Sequence, residues 1–178
     1  MFLKYLGLRT NKRPKPLIHV TIKPFFLLSH VMIKIIYPAQ KPMLKTEKGV
    51  EFIFCIIRKK WLVITPEEWV RQNFLNYLVQ TLHYPAVLIA VEKQLLVGEM
   101  KKRFDIIVYK DSTPFMIIEC KEMNVKLTEN TMRQVLRYNS NVQAKYVVVT
   151  NGSYCAGFAK KENGFEEIDV LPGKDDSS

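Results

Sequence analysis

The sequence predicts an α/β protein built on one mixed β-sheet with helices packed against it. A capped helix start at residue 65 is followed by apolar residues at helical spacing. Three apolar runs of strand length come next, and only three residues join the last two. A second amphipathic segment then separates them from a short, continuous apolar strand. This order of helix, three strands, helix and strand (αβββαβ) predicts both antiparallel and parallel strand pairs.

An N-terminal β-hairpin is predicted before the first helix. Two short apolar runs lie on either side of the basic stretch Arg58-Lys-Lys60 and have the length of small strands. The helix then begins with Thr65 as N-cap, Pro66 in the first position and Glu68 where a capping box needs an acid. The next proline predicts a helix end near residue 82. The core-facing stripe consists of Val70, Phe74, Tyr77 and Leu78.

Three strand candidates follow, at about 87–97, 103–110 and 114–121. The short link 111–113 makes the last two a tight hairpin. If that link is centred on Ser112, Asp105 on one strand directly faces Glu119 on the next. Directly opposed residues point to the same face of a sheet, with Cβ atoms ~4.5–5.5 Å apart.

A second helix is predicted over 127–141, with Thr128 as a candidate N-cap. The continuous apolar run 145–150 predicts a buried strand that stops at the Asn151-Gly152 turn. Strand, helix and strand at this spacing predict a right-handed crossover with parallel strands. The inner side of the helix is predicted to carry Met132, Val135, Leu136 and Asn139.

The two ends of the chain differ from its body in composition. Residues 1–42 contain eight Lys or Arg and no acid, so the rest of the chain is nearly neutral despite a net charge of +10. The pI is therefore poor evidence that the body binds DNA. We predict that 1–42 is a poorly ordered basic leader, or an over-extended start with translation beginning at Met32. The predicted domain spans 43–172, and 173–178 is predicted to be disordered.

Several classes of protein are disfavoured by composition. Three cysteines without a CxxC pair predict neither a disulfide framework nor a zinc site, and they fit a reducing cytoplasm. The apolar run near the start has about half of the ~20 residues that a membrane-spanning helix needs. Nothing resembles a phosphate-binding Gly-rich loop, so no ATP site is predicted.

Charged residues inside the apolar strands predict the site. Glu119 and Lys121 are two positions apart, and a strand places such residues on one face, which Asp105 can also reach. Asp105, Glu119 and the carbonyl of Cys120 could hold Mg²⁺, which prefers oxygen ligands. The ion would activate a water for attack on phosphorus, and Lys121 could position that water or neutralise developing charge. The alternative is a surface hairpin with an acid pair relieved by lysine, but Ile106 and Ile118 indicate buried strands.

Residues on the two helices are weaker candidates. Gln134 and Tyr138 are four apart on one helical face and could hold a phosphate or the lysine, with Arg133 and Arg137 beside them. An ordinary solvated helix face explains the same pattern. Glu68 could be an extra metal ligand or could merely complete the capping box.

The sequence resembles the PD-(D/E)xK nuclease superfamily, and more closely the N-terminal nuclease domain of type I restriction enzyme restriction subunits. The resemblance covers about residues 43–152. It is carried by Arg103-Phe-Asp105, Ile118-Glu-Cys-Lys121 and Gln134-x-x-x-Tyr138. The stretch from Ile57-Arg-Lys-Lys-Trp61 to Thr65-Pro-Glu-Glu-Trp-Val-Arg71 is also similar to small stand-alone bacterial proteins of that group.

The resemblance implies a restriction-endonuclease-like core and a Mg²⁺ site, with Mn²⁺ as a substitute ion. Asp105 and Glu119 would bind the ion, Lys121 would be catalytic, and Gln134 and Tyr138 would support the site or the DNA. Phe104 stands where the motif nominally has proline. In those systems a helicase motor follows this domain and a separate subunit supplies sequence specificity, so neither ATP-driven translocation nor specificity is carried over.

The expectation is therefore a Mg²⁺-dependent DNA endonuclease of the cytoplasm, working alone or with restriction-modification or helicase subunits supplied in trans. The alternative is a non-catalytic DNA-binding or assembly subunit on the same fold. An enzyme of RNA processing or of recombination-junction cleavage is a third reading. The oligomeric state is left open.

Overall fold

The computed structural model describes residues 31–97, 100–139 and 142–175. They form two β-sheets and two α-helices, which confirms the mixed α/β class. The larger sheet has the strand order β1-β9-β8-β7-β6-β5, with β10 also paired to β9. Its strands are β1 (Ile33–Lys34), β5 (Ile89–Val97), β6 (Met100–Lys110), β7 (Thr113–Cys120), β8 (Tyr146–Thr150), β9 (Tyr154–Lys161) and β10 (Gly164–Ile168).

A separate three-stranded antiparallel sheet precedes the first helix. It has the order β2-β3-β4 and consists of β2 (Leu44–Glu47), β3 (Val50–Cys55) and β4 (Lys60–Val63). The predicted hairpin corresponds to β3 and β4, while the strand β2 was not predicted. Ile53 and Cys55 are fully buried and face the core, because strand side chains alternate.

The first helix, α1, spans Pro66–Gln80 and begins as predicted. The Thr65 hydroxyl accepts a hydrogen bond from the backbone N–H of Glu68 at 3.1 Å. The apolar stripe is buried against one face of the large sheet, which packs α1 over the middle strands. This cluster includes Val70, Phe74, Leu78, Ile106, Met116, Ile118 and Val148.

The second helix, α2, spans Glu129–Asn139 and packs on the opposite sheet face. The predicted inner residues Met132, Val135, Leu136 and Asn139 are all buried. A short 3-10 helix, Ala86–Leu88, precedes β5. Strands β7 and β8 are parallel, as the predicted crossover requires.

The pairing of β6 with β7 sets the position of the charged residues. Ile106 pairs with Ile118 and Val108 with Met116, the register expected for a link centred on Ser112. A bulge at Val108 and Tyr109 shifts the pairing by one residue near the turn. The pairing of β5 with β6 skips Asp105: Val91 pairs with Ile106, and the next pair is Lys93 with Phe104.

No helix or strand was predicted in the part of the domain that follows residue 152. It contains β9 and β10, and β9 pairs with β8 along its length. Strand β9 was not predicted because the residues around Gly157 are small and give no clear strand pattern. The packing requires glycine there, since an added Cβ would lie only 2.8 Å from the Ile168 side chain.

The ends of the predicted domain also differ from the structure. Residues 31–42 belong to the fold rather than to a leader, since β1 pairs with β9 and Ile35 is buried. The rest of the predicted leader, 1–30, lies outside the described residues. Lys174, in the predicted disordered tail, donates its backbone N–H to the Leu82 carbonyl at 3.0 Å, and 176–178 lie outside the described residues.

No helix among the described residues is long and apolar enough to span a membrane. The three cysteines are buried and not linked to one another. Burial raises the pKa of the Cys155 thiol to about 12 and that of Cys120 well above its usual value.

Candidate active site

Asp105 is held from two sides. Its Oδ2 accepts the backbone N–H of Cys120 at 2.8 Å, which ties β6 to the end of β7. Its Oδ1 accepts from the Arg71 guanidinium at 3.0 Å, which ties the strand to α1. Because both oxygens have directional partners, the carboxylate is fixed in orientation.

Glu119 lies beside a lysine from the same sheet. The Lys102 Nζ is 3.5 Å from its Oε1, and both side chains are largely buried. Lys102 also reaches Asn139 Oδ1 at 3.3 Å and lies 4.6 Å from the centre of the Phe104 ring. Lys102 therefore joins the acid to α2.

The environment of Glu119 and Lys102 disfavours the charged form of both side chains. Burial raises the pKa of Glu119, and the nearby Asp105 carboxylate raises it further, against the lowering effect of Lys102 and Lys121. Burial also lowers the pKa of Lys102, although Glu119 opposes that change. Both partners are shifted towards their neutral forms, so their ion pair does not repay the loss of hydration.

Lys121 follows directly after β7. Its backbone N–H donates to the Thr150 carbonyl at 2.8 Å, which fixes the chain at the end of the parallel pair β7–β8. Its ammonium acts on Glu119, whose pKa it lowers. Asp105 and Lys121 are therefore both close enough to Glu119 to shift its pKa, Asp105 upwards and Lys121 downwards.

Glu68 takes part in a buried network on α1. Its backbone N–H forms the cap bond, and its carboxylate binds Arg71 and accepts from Gln72 Nε2 at 2.6 Å. Glu67 also binds Arg71, at 2.7 Å. Glu68 is therefore connected to Asp105 through Arg71.

Arg71 and Lys102 are the site residues that sequence reasoning missed. Arg71 is almost fully buried, and its pKa is raised because Asp105 and Glu68 outweigh the lowering effect of burial. The signal available in the sequence was its spacing of three from Glu68 on a helix with an apolar stripe. Lys102 stands in the basic run Lys101-Lys-Arg103, which belongs to β6.

Three of the predicted residues of α2 have side chains that the structure describes. Gln134 and Arg137 are exposed, and Arg133 binds Glu129 at 2.7 Å on the same helix. The side chain of Tyr138 lies outside the described residues. Asn139 is the α2 residue that contacts Lys102, because its burial turns it towards the sheet.

The donor set agrees with a hard divalent cation. No group of three His, Cys, Asp or Glu side chains in the described residues is arranged to hold a metal ion. Two carboxylates and a backbone carbonyl are nevertheless the kind of partial oxygen shell that Mg²⁺ completes with water. The raised pKa of Glu119 shows that this pair would gain from an added positive charge. Asp105, Glu119 and Cys120 therefore fit the ion by chemistry.

Comparison with known proteins was made for the sequence and for the fold. A fragment structure from Vibrio vulnificus, described as an HsdR subunit of a type I restriction enzyme, is 17% identical, with a TM-score of 0.47. The similarity covers 62% of this chain but only 24% of that longer one. Among curated proteins, no significant match was found. The family model "Type I restriction enzyme R protein N terminus (HSDR_N)" matches residues 66–172. Because this match covers more than half of the 178 residues, the chain belongs to the family of type I restriction enzyme R protein N termini.

Proposed function

We propose that this protein is a Mg²⁺-dependent DNA endonuclease with a restriction-endonuclease-like core of order αβββαβ. The observation that carries the proposal is the acid pair, two largely buried carboxylates, with Asp105 on β6 near enough to raise the pKa of Glu119 close to the end of β7, where Lys121 follows. A buried carboxylate such as Glu119, whose pKa is raised by burial and then by a neighbouring carboxylate, is costly for folding and is typical of functional sites. Membership of the restriction-subunit family supports the same chemistry.

Each residue has a separate role in this proposal. Asp105, Glu119 and the Cys120 carbonyl would hold Mg²⁺, or Mn²⁺ in its place. The bound ion would supply positive charge to the scissile phosphate and activate water for hydrolysis of the phosphodiester. Lys121 orients the attacking water or stabilises developing negative charge. Arg71 keeps Asp105 in place, since its guanidinium reaches the carboxylate from α1.

The DNA would approach along the exposed side of α2. Gln134 and Arg137 are exposed there, and Arg133 and Tyr138 are on the same helix. Cations and amides of this kind contact phosphates without reading sequence. Specificity and any motor activity would come from restriction-modification or helicase subunits in trans, and the proposed compartment is the cytoplasm.

Cleavage of supercoiled plasmid with Mg²⁺ or Mn²⁺ tests the proposal. Wild type should nick or linearise the DNA, whereas Asp105→Ala and Lys121→Ala should be slower by on the order of 10²–10⁴-fold. Asp111→Asn, at an exposed turn acid on the same hairpin, is the matched control and should cleave normally. Equal cleavage by all four proteins would refute the assigned site. Tight DNA binding without cleavage would instead identify the non-catalytic alternative.

A further inference from the structure

The β2–β4 sheet has an apolar side that the rest of the described fold does not cover. On β3, Ile53 and Cys55 are fully buried, whereas Phe52 and Phe54, which alternate with them, are only partly buried. Their cross-strand partners Trp61 and Val63 are 36% and 53% exposed. We call this side the aromatic face, and it consists of Val50, Phe52, Phe54, Trp61 and Val63.

The rings of the aromatic face are arranged together with a cation. The Phe54 and Trp61 ring centroids are 5.2 Å apart at an interplanar angle of 63°. The Lys45 ammonium, on β2, lies 5.3 Å from the Phe52 centroid and 5.1 Å from that of Trp61. Surfaces that bind single-stranded nucleic acid combine the same two elements, aromatic rings for the bases and cations for the phosphates.

The charge around the aromatic face favours a polyanion over a second copy of the chain. Residues 44–63 carry five Lys or Arg and two Glu. Arg58 is paired with Glu92 and Lys45 with Glu47. The remaining basic residues, Lys48, Lys59 and Lys60, are exposed at the two turns of this sheet. Two such faces packed against each other would bring like charges together, whereas phosphates would be attracted.

We propose that the aromatic face binds single-stranded nucleic acid, with bases stacked on its rings and phosphates near its lysines. This surface lies outside residues 66–172, so it adds to what the family match covers. An exposed, contiguous apolar surface commonly marks a binding site. If the protein is the nuclease proposed above, the aromatic face would hold a single strand of its nucleic-acid substrate. Only this last statement rests on the proposed function.

The test is fluorescence anisotropy of labelled oligo-dT and oligo-U of about 15 nucleotides with the full chain in EDTA. Trp61→Ala should weaken binding by about tenfold, because one stacking platform is removed. Trp61→Phe should recover most of the affinity. Tyr154→Ala removes an aromatic residue of similar exposure from β9 and should change affinity less than about twofold. The dT and U arms show whether the DNA or the RNA probe is bound more tightly.

A second readout does not depend on the integrity of Trp61. The double variant Lys59→Ala/Lys60→Ala should reduce the salt slope of binding by about 1.4, since each phosphate contact on a single strand contributes ~0.7. A further readout uses the Trp69→Phe variant, in which Trp61 is the sole tryptophan. Binding of oligo-dT should quench the Trp61 fluorescence of this variant.

Three results would overturn the proposal: no binding by wild type, equal binding by wild type and Trp61→Ala, or a concentration-dependent dimer that Trp61→Ala abolishes. The last would show that a second copy covers the face. If the protein binds the oligonucleotides in EDTA but does not cleave plasmid in Mg²⁺, the proposed nuclease function fails and the proposed binding surface stands. Cleavage without single-strand binding would do the reverse.

Discussion

The acid pair and the aromatic face depart from the usual rule of polar outside and apolar inside in opposite ways: one buries charges and the other exposes apolar rings. At the acid pair, two carboxylates on the large sheet are largely buried with two cations, Arg71 of α1 and Lys102 of β6. At the aromatic face, aromatic and β-branched side chains are exposed on the small sheet. Burying the charges costs hydration free energy, and exposing the apolar side chains leaves apolar area in water. A contribution to folding stability therefore explains neither arrangement. Both regions therefore support the proposals made above, a divalent cation at the acid pair and single-stranded nucleic acid at the aromatic face.

The largest expected effect separates exposed from buried aromatic residues. Phe158→Ala, at a fully buried position in β9, should lower the free energy of unfolding by about 3–5 kcal/mol because it leaves a cavity. Trp61→Ala on the aromatic face should cost about 1 kcal/mol or less, since only a cross-strand ring contact is lost. Urea denaturation measures both. Equal losses would mean that the aromatic face is part of the core, and the comparison would fail.

A smaller effect separates buried from exposed ion pairs. Arg71→Met should destabilise the protein by about 3 kcal/mol, because Asp105 and Glu68 lose their buried counter-charge. Arg133→Ala breaks an exposed pair with Glu129 on α2 and should cost no more than about 0.5 kcal/mol. Thermal and urea melts of both variants provide the measurement. A mild effect for Arg71→Met would show that the network around Asp105 is dispensable.

The smallest effect concerns pH and the acid pair. Because burial and then Asp105 raise the pKa of Glu119 in the folded state, the folded protein binds this proton more tightly than the unfolded chain. The resulting stability is present at acid pH and is lost as the pH rises through the folded pKa. Glu119→Gln, which cannot ionise, should therefore raise the melting temperature in EDTA near pH 7. The advantage should disappear below about pH 4.

The matched control for this measurement is Glu166→Gln, at an exposed position on β10. It should show no comparable gain at neutral pH, because an exposed carboxylate stays hydrated. A Glu119→Gln variant that melts at the wild-type temperature across the whole pH range would show that the pair carries no electrostatic cost.

The candidate acids could be picked out from the sequence because carboxylates are visible where they interrupt runs of isoleucine. The register also followed from the short link, since the Ile106–Ile118 pair agrees with a turn centred on Ser112. Arg71 could not be predicted, because an arginine three residues after a glutamate is equally typical of a solvated helix face. Its burial depends on how α1 packs over the sheet.

The remaining differences have the same physical origin, which is tertiary packing. Gln134 shares a helical face with Tyr138, but the burial of Met132 and Val135 turns Gln134 outwards. Asn139, which looked like part of the apolar side, is the residue of α2 that contacts Lys102. Strand β9 escaped notice because the residues around Gly157 are small, and their fit to Ile168 exists only once the sheet has formed.

The central claim is that the acid pair is a divalent-cation site, and calorimetric titration of the protein with Mg²⁺ and Mn²⁺ tests it most directly. We predict one ion bound per chain for wild type and for Asp111→Asn, and loss of that binding in both Asp105→Asn and Glu119→Gln. Binding should also raise the melting temperature of wild type, because the ion stabilises only the folded state. Unchanged metal binding in Asp105→Asn and Glu119→Gln, or none in wild type, would contradict the account.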